Sequence, residues 1–266
     1  VDRGMRRCIE KARLVAQHDM NVLILGETGT GKNLLAQAIH NASARRTGPF
    51  VAVNIASLPP NLLTSELFGC ERGAFTEARS RAGYFEKADG GTLFIDEIGG
   101  LSLESQQALL TAVEEKRVTR VGTSEPIPCD VRLVTATNLD LAAAIEDGSF
   151  RRDLYHRIAR IALEVPPLRE RTDDIPMLAA RFLVRANVTF GRDVRRIADA
   201  CLTRLLAYPW PGNVRELCSK IESAMVYCLG DTLEAAHAFP DVADAPGPSG
   251  PAETDLSLEA VERRHI

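Results

Sequence analysis

Apolar positions along the first 167 residues fall into short blocks of two periods. Met5, Ile9, Ala12, Val15 and Ala16 recur at helical spacing, so a helix is expected over 5–17. The runs Asn21-Val22-Leu23-Ile24-Leu25, Phe50-Val51-Ala52-Val53, Leu93-Phe94-Ile95, Arg132-Leu133-Val134-Thr135-Ala136 and Ile161-Ala162-Leu163-Glu164-Val165 read as strands. Helical stretches alternate with them: Leu34-Leu35-Ala36-Gln37-Ala38-Ile39-His40, one opening at Pro59-Pro60 and running to Leu67, one from Ser102 to about Glu115, and two over 140–146 and 151–158. Residues 116–131 read as a hairpin around Gly122-Thr123-Ser124. Strands alternating with helices imply an α/β fold with a parallel sheet. After Pro166-Pro167 the pattern turns purely helical over 174–189, 196–207 and 213–229, with Gly230 as the expected C-terminal cap, which implies a small appended α-helical domain. Expected boundaries are 1–168 for the α/β part and 169–239 for the helical part. Residues 240–266 are expected to be a Pro/Gly-rich linker and the start of a further helix.

The stretch Gly26-Glu27-Thr28-Gly29-Thr30-Gly31-Lys32-Asn33 lies between the first strand and the next helix, the setting a phosphate-binding loop requires. Its glycines let backbone N–H groups converge on phosphate oxygens, the following helix N-terminus adds a favourable dipole, and Lys32 reaches the terminal phosphates. Nucleotide hydrolysis also needs a magnesium ligand, a water-activating group and positive charge in the transition state. Asp96, at the end of an apolar strand, is the candidate Mg²⁺ ligand, and Glu97 beside it is the candidate for activating water. Asn138, at the end of another strand, is a candidate contact to the γ-phosphate or the water. Asn33 stands where a Ser or Thr usually follows the lysine, so the hydroxyl ligand is missing and metal holding rests more on Asp96.

Composition narrows the partners. The net charge is −4 with a pI of about 5.8, so no basic field marks this segment as the part that grips nucleic acid. No apolar run approaches a membrane span of ~20 residues. Cys8, Cys70, Cys129, Cys201, Cys218 and Cys228 form no C-x-x-C pair, which fits reduced cysteines in a cytoplasmic protein. Cys70, in a polar loop, is the one expected to be reactive. The chain opens on Val1 without a signal-peptide core and is expected to be a piece of a longer protein.

Beyond these readings, eight blocks carry a family resemblance in order: Leu25-Gly26-Glu27-Thr28-Gly29-Thr30-Gly31-Lys32, Glu66-Leu67-Phe68-Gly69, Gly73-Ala74-Phe75-Thr76, Gly91-Thr92-Leu93-Phe94-Ile95-Asp96-Glu97-Ile98, Ala136-Thr137-Asn138, Phe150-Arg151-Arg152-Asp153-Leu154-Tyr155, Pro166-Pro167-Leu168-Arg169-Glu170-Arg171 and Trp210-Pro211-Gly212-Asn213-Val214-Arg215-Glu216-Leu217. The chain resembles the central AAA+ ATPase domain of bacterial enhancer-binding proteins, the sigma-54-dependent transcription activators. The resemblance implies a P-loop AAA+ sandwich with a helical lid, ATP and Mg²⁺ as cofactors, and a ring, usually a hexamer, with ATP at subunit interfaces. By resemblance Lys32 belongs to Walker A, and Asp96 and Glu97 to Walker B. Asn54 matches the switch residue that pairs with the catalytic glutamate, Thr137 and Asn138 match sensor I, and Arg215 matches sensor II. Arg151 and Arg157 match arginine fingers. For Arg157 the alternative is a surface pair with Asp153, four residues earlier, worth a few tenths of a kcal/mol.

Two positions depart from the family pattern. The family loop Gly-Ala-Phe-Thr-Gly-Ala contacts sigma-54, whereas this chain has Gly73-Ala74-Phe75-Thr76-Glu77-Ala78. Glu77 removes the conformational freedom of glycine and would gather carboxylates near a ring pore. Asn33 replaces the family's usual glutamate. Three functions are therefore weighed: an ATPase remodelling sigma-54 polymerase, a DNA-bound, nucleotide-responsive regulator that does not engage sigma-54, and an assembly module with little turnover. The intact Asp96, Glu97, Asn138 and arginine set argues against the third. The tail from Leu256 resembles the entry to a C-terminal DNA-binding domain, whose reading helices are absent from this chain.

Overall fold

A computed structural model describes residues 2–72 and 80–239. Its contacts form two compact units. One comprises Arg7–Glu27 and Gly31–Val165, and the other gathers Thr28–Thr30 with the residues before Arg7 and those from Pro166 onward.

In chain order the first unit contains α1 (Arg3–Ala16, shared at its first turn with the second unit), β1 (Val22–Leu25), α2 (Lys32–Asn41), β2 (Phe50–Asn54), α3 (Leu63–Phe68), α4 (Tyr84–Lys87), β3 (Thr92–Asp96), α5 (Leu103–Glu115), β4 (Arg117–Thr119), β5 (Pro126–Pro128), β6 (Arg132–Thr137), α6 (Leu141–Glu146), α7 (Arg152–Ile158) and β7 (Ile161–Glu164). Five strands form one parallel sheet in the order β2-β3-β6-β1-β7. A parallel sheet is covered on both faces, so its strands are continuously apolar rather than alternating. Accordingly Val22, Leu23, Ile24, Leu93, Phe94 and Ile95 are all buried. From β1 the chain crosses to the edge at β2 and returns through β3 and β6, then emerges on the far side of β1 as β7. That makes the carboxyl end of β1 a topological switch point, where ligands of such sheets bind.

Arg132, at the start of β6, is buried yet needs no carboxylate. Its guanidinium donates to Val15 O (2.9 Å) and Ala16 O (3.3 Å) at the end of α1 and to Met20 O (3.2 Å) beyond it, so backbone carbonyls satisfy the buried charge. The expected hairpin is present as the antiparallel pair β4–β5. The expected helix at Pro59-Pro60 begins only at Leu63: Pro60 disfavours helical geometry at Pro59, and a turn (Leu62 N–H to Pro59 O, 2.9 Å) takes those residues.

The second unit holds α8 (Ile175–Phe190), β8 (Arg196–Ile197), α9 (Asp199–Ala207), α10 (Asn213–Tyr227), β9 (Thr232–Leu233) and α11 (Ala235–Ala238) around its own core of Leu183, Leu205, Trp210, Leu217 and Ile221. It is not purely helical, because β8 and β9 pair in parallel. Nor does Gly230 cap α10: the helix ends at Tyr227 on Cys228 in extended geometry (φ −79°, ψ 110°). The six cysteines are free, and Cys70 is buried rather than exposed in a loop, with its backbone bridged to Arg81 (3.0 and 2.9 Å). Among the described residues no helix is long and apolar enough to cross a membrane. Residues 240–266, read as linker and truncated helix, lie outside the described residues.

Candidate nucleotide site

The register of the sheet lines up the candidate residues. Leu25 pairs with Thr137 and Asn54 with Asp96, so the first residues past β1, β3 and β6 are Gly26, Glu97 and Asn138, at one edge of one sheet. Gly26 N–H donates to Thr137 O at 3.3 Å, which puts the start of the glycine loop beside the start of the Asn138 turn. Asn138 is exposed at that edge, while Thr137 is buried and its Oγ1 accepts from Leu139 N–H at 3.0 Å.

Lys32 opens α2 and is only 5% exposed. Its ammonium donates to Gly26 O (2.8 Å) and Glu27 O (3.3 Å) and lies 4.0 Å from Glu97 Oε1. The lysine thus bends back over its own loop toward the carboxylate of the first residue past β3, although 65 positions separate Lys32 and Glu97 in sequence. Gly31 precedes the helix at φ +104°, a conformation that glycine adopts without cost. Glu97 has φ +57° and ψ +47°, left-handed geometry that is uncommon for a residue with a side chain. That turn leaves Asp96 in the strand and aims Glu97 elsewhere. Asp96 Oδ1 accepts from Glu97 N–H (3.1 Å), and Oδ2 accepts from Asn54 Nδ2 at a long 3.4 Å. The hydrogen bond of Asn54 therefore goes to Asp96, not to Glu97 as the resemblance implies.

The donor set fits Mg²⁺ in kind. Mg²⁺ is usually held by one or two carboxylates together with substrate phosphates and water, not by a full protein cage. Among the described residues no group of three or more His, Cys, Asp or Glu side chains could enclose a metal, and Asp96 supplies one carboxylate at the strand end. Asn33 is exposed on α2.

Arg151 is the residue before α7, and Arg157 lies in its last turn. Arg151 forms a two-pronged pair with Asp153 (Nε–Oδ1 3.0 Å, Nη2–Oδ2 2.7 Å), which holds the Asp153 carboxyl below its ordinary range. Arg157 does not meet Asp153. Its partner is Glu114 on α5, with Nε at 2.9 Å and Nη2 at 2.8 Å from Oε1. The anticipated i,i+4 pair is thus absent, because Asp153 is already taken by Arg151. Both arginines remain more than a third exposed, so these pairs contribute little to stability and leave the side chains at the surface.

Sequence reasoning missed Gln106. It is fully buried on α5, donates to Leu101 O (2.9 Å) and Ser149 O (2.9 Å), and accepts from Arg151 N–H (2.8 Å), which fixes the backbone from which Arg151 projects. The available signal was a lone amide at a core-facing position of an amphipathic helix.

In the second unit, Arg215 lies in the first turn of α10 and its backbone N–H donates to Gly29 O at 3.3 Å. The loop Gly73, Ala74, Phe75, Thr76, Glu77 and Ala78 lies outside the described residues. Its flanks are described. Arg120, between β4 and β5, reaches Glu71 (2.5 Å) and Glu86 (2.7 Å), and both carboxyls are held below their ordinary range by hydrogen bonds from that guanidinium.

Residues 1–164 match the sigma-54 interaction domain family and residues 169–254 match the AAA+ ATPase lid domain family. The chain is 44% identical over 264 residues to the transcriptional regulatory protein ZraR of Escherichia coli (strain K12), covering 99% of this chain and 60% of ZraR. It is 48% identical over 233 residues to the transcriptional regulatory protein GlrR of the same strain, covering 87% and 52%. The crystal structure of NtrX from Brucella abortus in complex with ADP superposes with a TM-score of 0.83 at 33% identity, over 89% of this chain and 54% of that one. The complex of NtrX with ATP gives 0.79 at 34%, over 85% and 52%. This chain thus spans between about half and three-fifths of the length of these relatives.

Proposed function

Because the chain belongs to the sigma-54 interaction domain family, with its P-loop AAA+ fold, we propose that it binds and hydrolyses ATP as the motor domain of a bacterial transcriptional regulator. The observation that carries this is the approach of the Lys32 ammonium to Glu97, 4.0 Å apart at the carboxyl ends of β1 and β3. A cation for phosphate and a carboxylate for water face one space at the switch point of the sheet.

In this reading Gly26, Glu27, Thr28, Gly29, Thr30, Gly31 and Lys32 hold the phosphates. Asp96 would hold Mg²⁺, which supplies charge neutralisation on the β- and γ-phosphates when bound. Glu97 takes the proton of the attacking water as its oxygen bonds to the γ-phosphorus, and the bond to the β–γ bridging oxygen breaks, releasing ADP. Asn54 steadies the Asp96–Glu97 turn, Asn138 orients the water or the γ-phosphate, and Arg215 senses nucleotide from the helical lid. Residues 1–168 form the nucleotide-binding part, 169–239 the lid, and 240–266 the connection to a DNA-binding domain beyond this chain. Arg151 and Arg157 act on the ATP of a neighbouring copy in a ring, probed by Arg157→Ala. That variant is expected to lose about 10³-fold or more in turnover while binding ATP nearly normally. Near-normal hydrolysis would reduce Arg157 to the Glu114 surface pair.

The work done by hydrolysis is remodelling of sigma-54 RNA polymerase in the cytoplasm. A second reading rests on Glu77, which stands at a family glycine: the protein is then a nucleotide-responsive, DNA-bound regulator that does not engage sigma-54. Open-complex formation with sigma-54 polymerase, ATP and a matching promoter separates them. Opening by the natural protein supports remodelling. No opening, with opening gained in Glu77→Gly, supports the second reading.

A further inference from the structure

The tip of the glycine loop is held by its carbonyls. Thr28 O accepts from Asn213 Nδ2 (3.1 Å), Gly29 O accepts from the backbone N–H groups of Val214 (3.0 Å) and Arg215 (3.3 Å), and Thr30 O accepts from Arg171 Nη2 (2.8 Å). All of these groups belong to the second unit. Three consecutive carbonyls are therefore turned the same way. In a trans peptide the N–H of the next residue points opposite to the carbonyl, and no described peptide is cis. The N–H groups of Gly29, Thr30 and Gly31 accordingly face away from Asn213 and Arg171, as an anion-binding concavity requires.

The holding groups are themselves fixed. Asn213 is fully buried and left-handed (φ +53°), a conformation asparagine tolerates, and its Oδ1 accepts from Leu168 N–H at 2.7 Å. Arg171 is buried three residues further along the same segment. The first N–H groups of α10 have no intrahelical acceptor and no side-chain cap: that of Asn213 donates to Trp210 O, and Gly29 O caps those of Val214 and Arg215. Gly29 must be glycine here, since a Cβ would lie 2.4 Å from Gly212 O.

We propose that Asn213 and Arg171 are positioning residues for nucleotide binding: they act on the loop backbone, not on the nucleotide, and set the direction of the amide donors. Through the same bonds, phosphate binding firms the start of α10. This rests on the ATP-binding reading above.

The test uses the full chain. Affinity is measured with a fluorescent ATP analogue, and hydrogen exchange at the Val214 and Arg215 amides is followed with and without ADP. In the natural protein ADP is expected to slow exchange at both amides. Asn213→Asp keeps the acceptor for Leu168 but loses the donor to Thr28. It should bind at least tenfold more weakly and lose that ADP-dependent slowing. Arg171→Met should also bind about tenfold more weakly, with Arg171→Lys restoring most of the affinity. Should one variant fail to fold, the other and the natural protein still decide. Absence of nucleotide binding by the natural protein would remove the ATP-binding reading itself. Normal binding with no ADP effect on the two amides, or variants that bind as the natural protein does, would overturn the positioning role alone.

Discussion

Two glycines of one loop differ in what they forbid. At Gly31 (φ +104°) an added Cβ meets nothing within 4 Å, so only the backbone conformation resists substitution. At Gly29 (φ +80°) the same Cβ would also strike Gly212 O at 2.4 Å. Gly31→Ala is expected to cost about 1–2 kcal/mol from left-handed strain. Gly29→Ala should cost more, because strain and backbone overlap add, and it should weaken nucleotide binding in parallel. Thermal melts of the two variants rank them. His40 makes a separate case. It is buried beside Thr92 (Nδ1–Oγ1 2.9 Å) and against the Phe50 ring, and burial, assisted by the charge of Arg132, holds its pKa below the ordinary value of 6.5. Between that lowered value and 6.5 the unfolded chain binds more protons than the folded one, so stability falls as pH drops below about 6.5. The carboxyls held low by Arg120 lose their contribution only at lower pH, below their ordinary 4.5. Melting temperatures from pH 7.5 to 5.5 should therefore decline, and His40→Asn should flatten that decline.

At the scale of elements, α5 is both a core helix and a mount. Its start is capped by Ser102 Oγ, which accepts from Ser105 N–H at 3.2 Å, a contribution of about 1 kcal/mol. Gln106 matters more, since its fully buried side chain serves two carbonyls and the N–H of Arg151. Gln106→Ala orphans those groups at roughly 1–3 kcal/mol each before relaxation. Its melting temperature is expected to fall further than that of Ser102→Ala. Because Arg151 is released as well, turnover should fall more than nucleotide affinity, which a kcat and Kd comparison reads directly. Beside the backbone bonds that join Gly69 and Glu71 to Val121, the hairpin β4–β5 and the flanks of the 73–79 segment are tied by one guanidinium, Arg120. That link is ionic and half-open to water, so it weakens with salt.

For the whole molecule, the arginines and the lysine are proposed to serve different copies. If Arg157 acts on a neighbour's ATP, a Lys32→Ala chain, which binds no nucleotide but keeps its arginines, should complement an Arg157→Ala chain. Mixing the two inactive proteins is expected to recover a fraction of the natural turnover. That turnover should rise with protein concentration, because the competent site needs two chains. A mixture as inactive as its parts would place Arg157 outside the reaction. Surface charge bears on the same assembly. The chain carries a net charge of −4, and in the proposed ring Glu77 would add one carboxylate per copy. Engagement of an acidic surface there should depend on ionic strength.

The sequence by itself determined the local elements and the chemistry they carry. Strand runs, the Ser102 cap and the glycine–lysine loop are written in patterns spanning a few residues, and local sterics act at that range. It also singles out Lys32, Asp96, Glu97 and Asn138 as the proposed chemical residues, through the resemblance and the strand ends they occupy. Only the tertiary structure decided which distant groups meet. The partner of Arg157 is Glu114 on α5, while both oxygens of Asp153 accept from Arg151. A long parallel ladder sets Asn54 against Asp96, and the turn at Glu97 bends its carboxylate toward Lys32. The pairing of β8 with β9 and the caps supplied to α10 by Gly29 O join segments 36 and about 185 residues apart, too far for periodicity to register. A hydrogen bond is fixed by position in space, and position across such separations is settled only when both cores have packed.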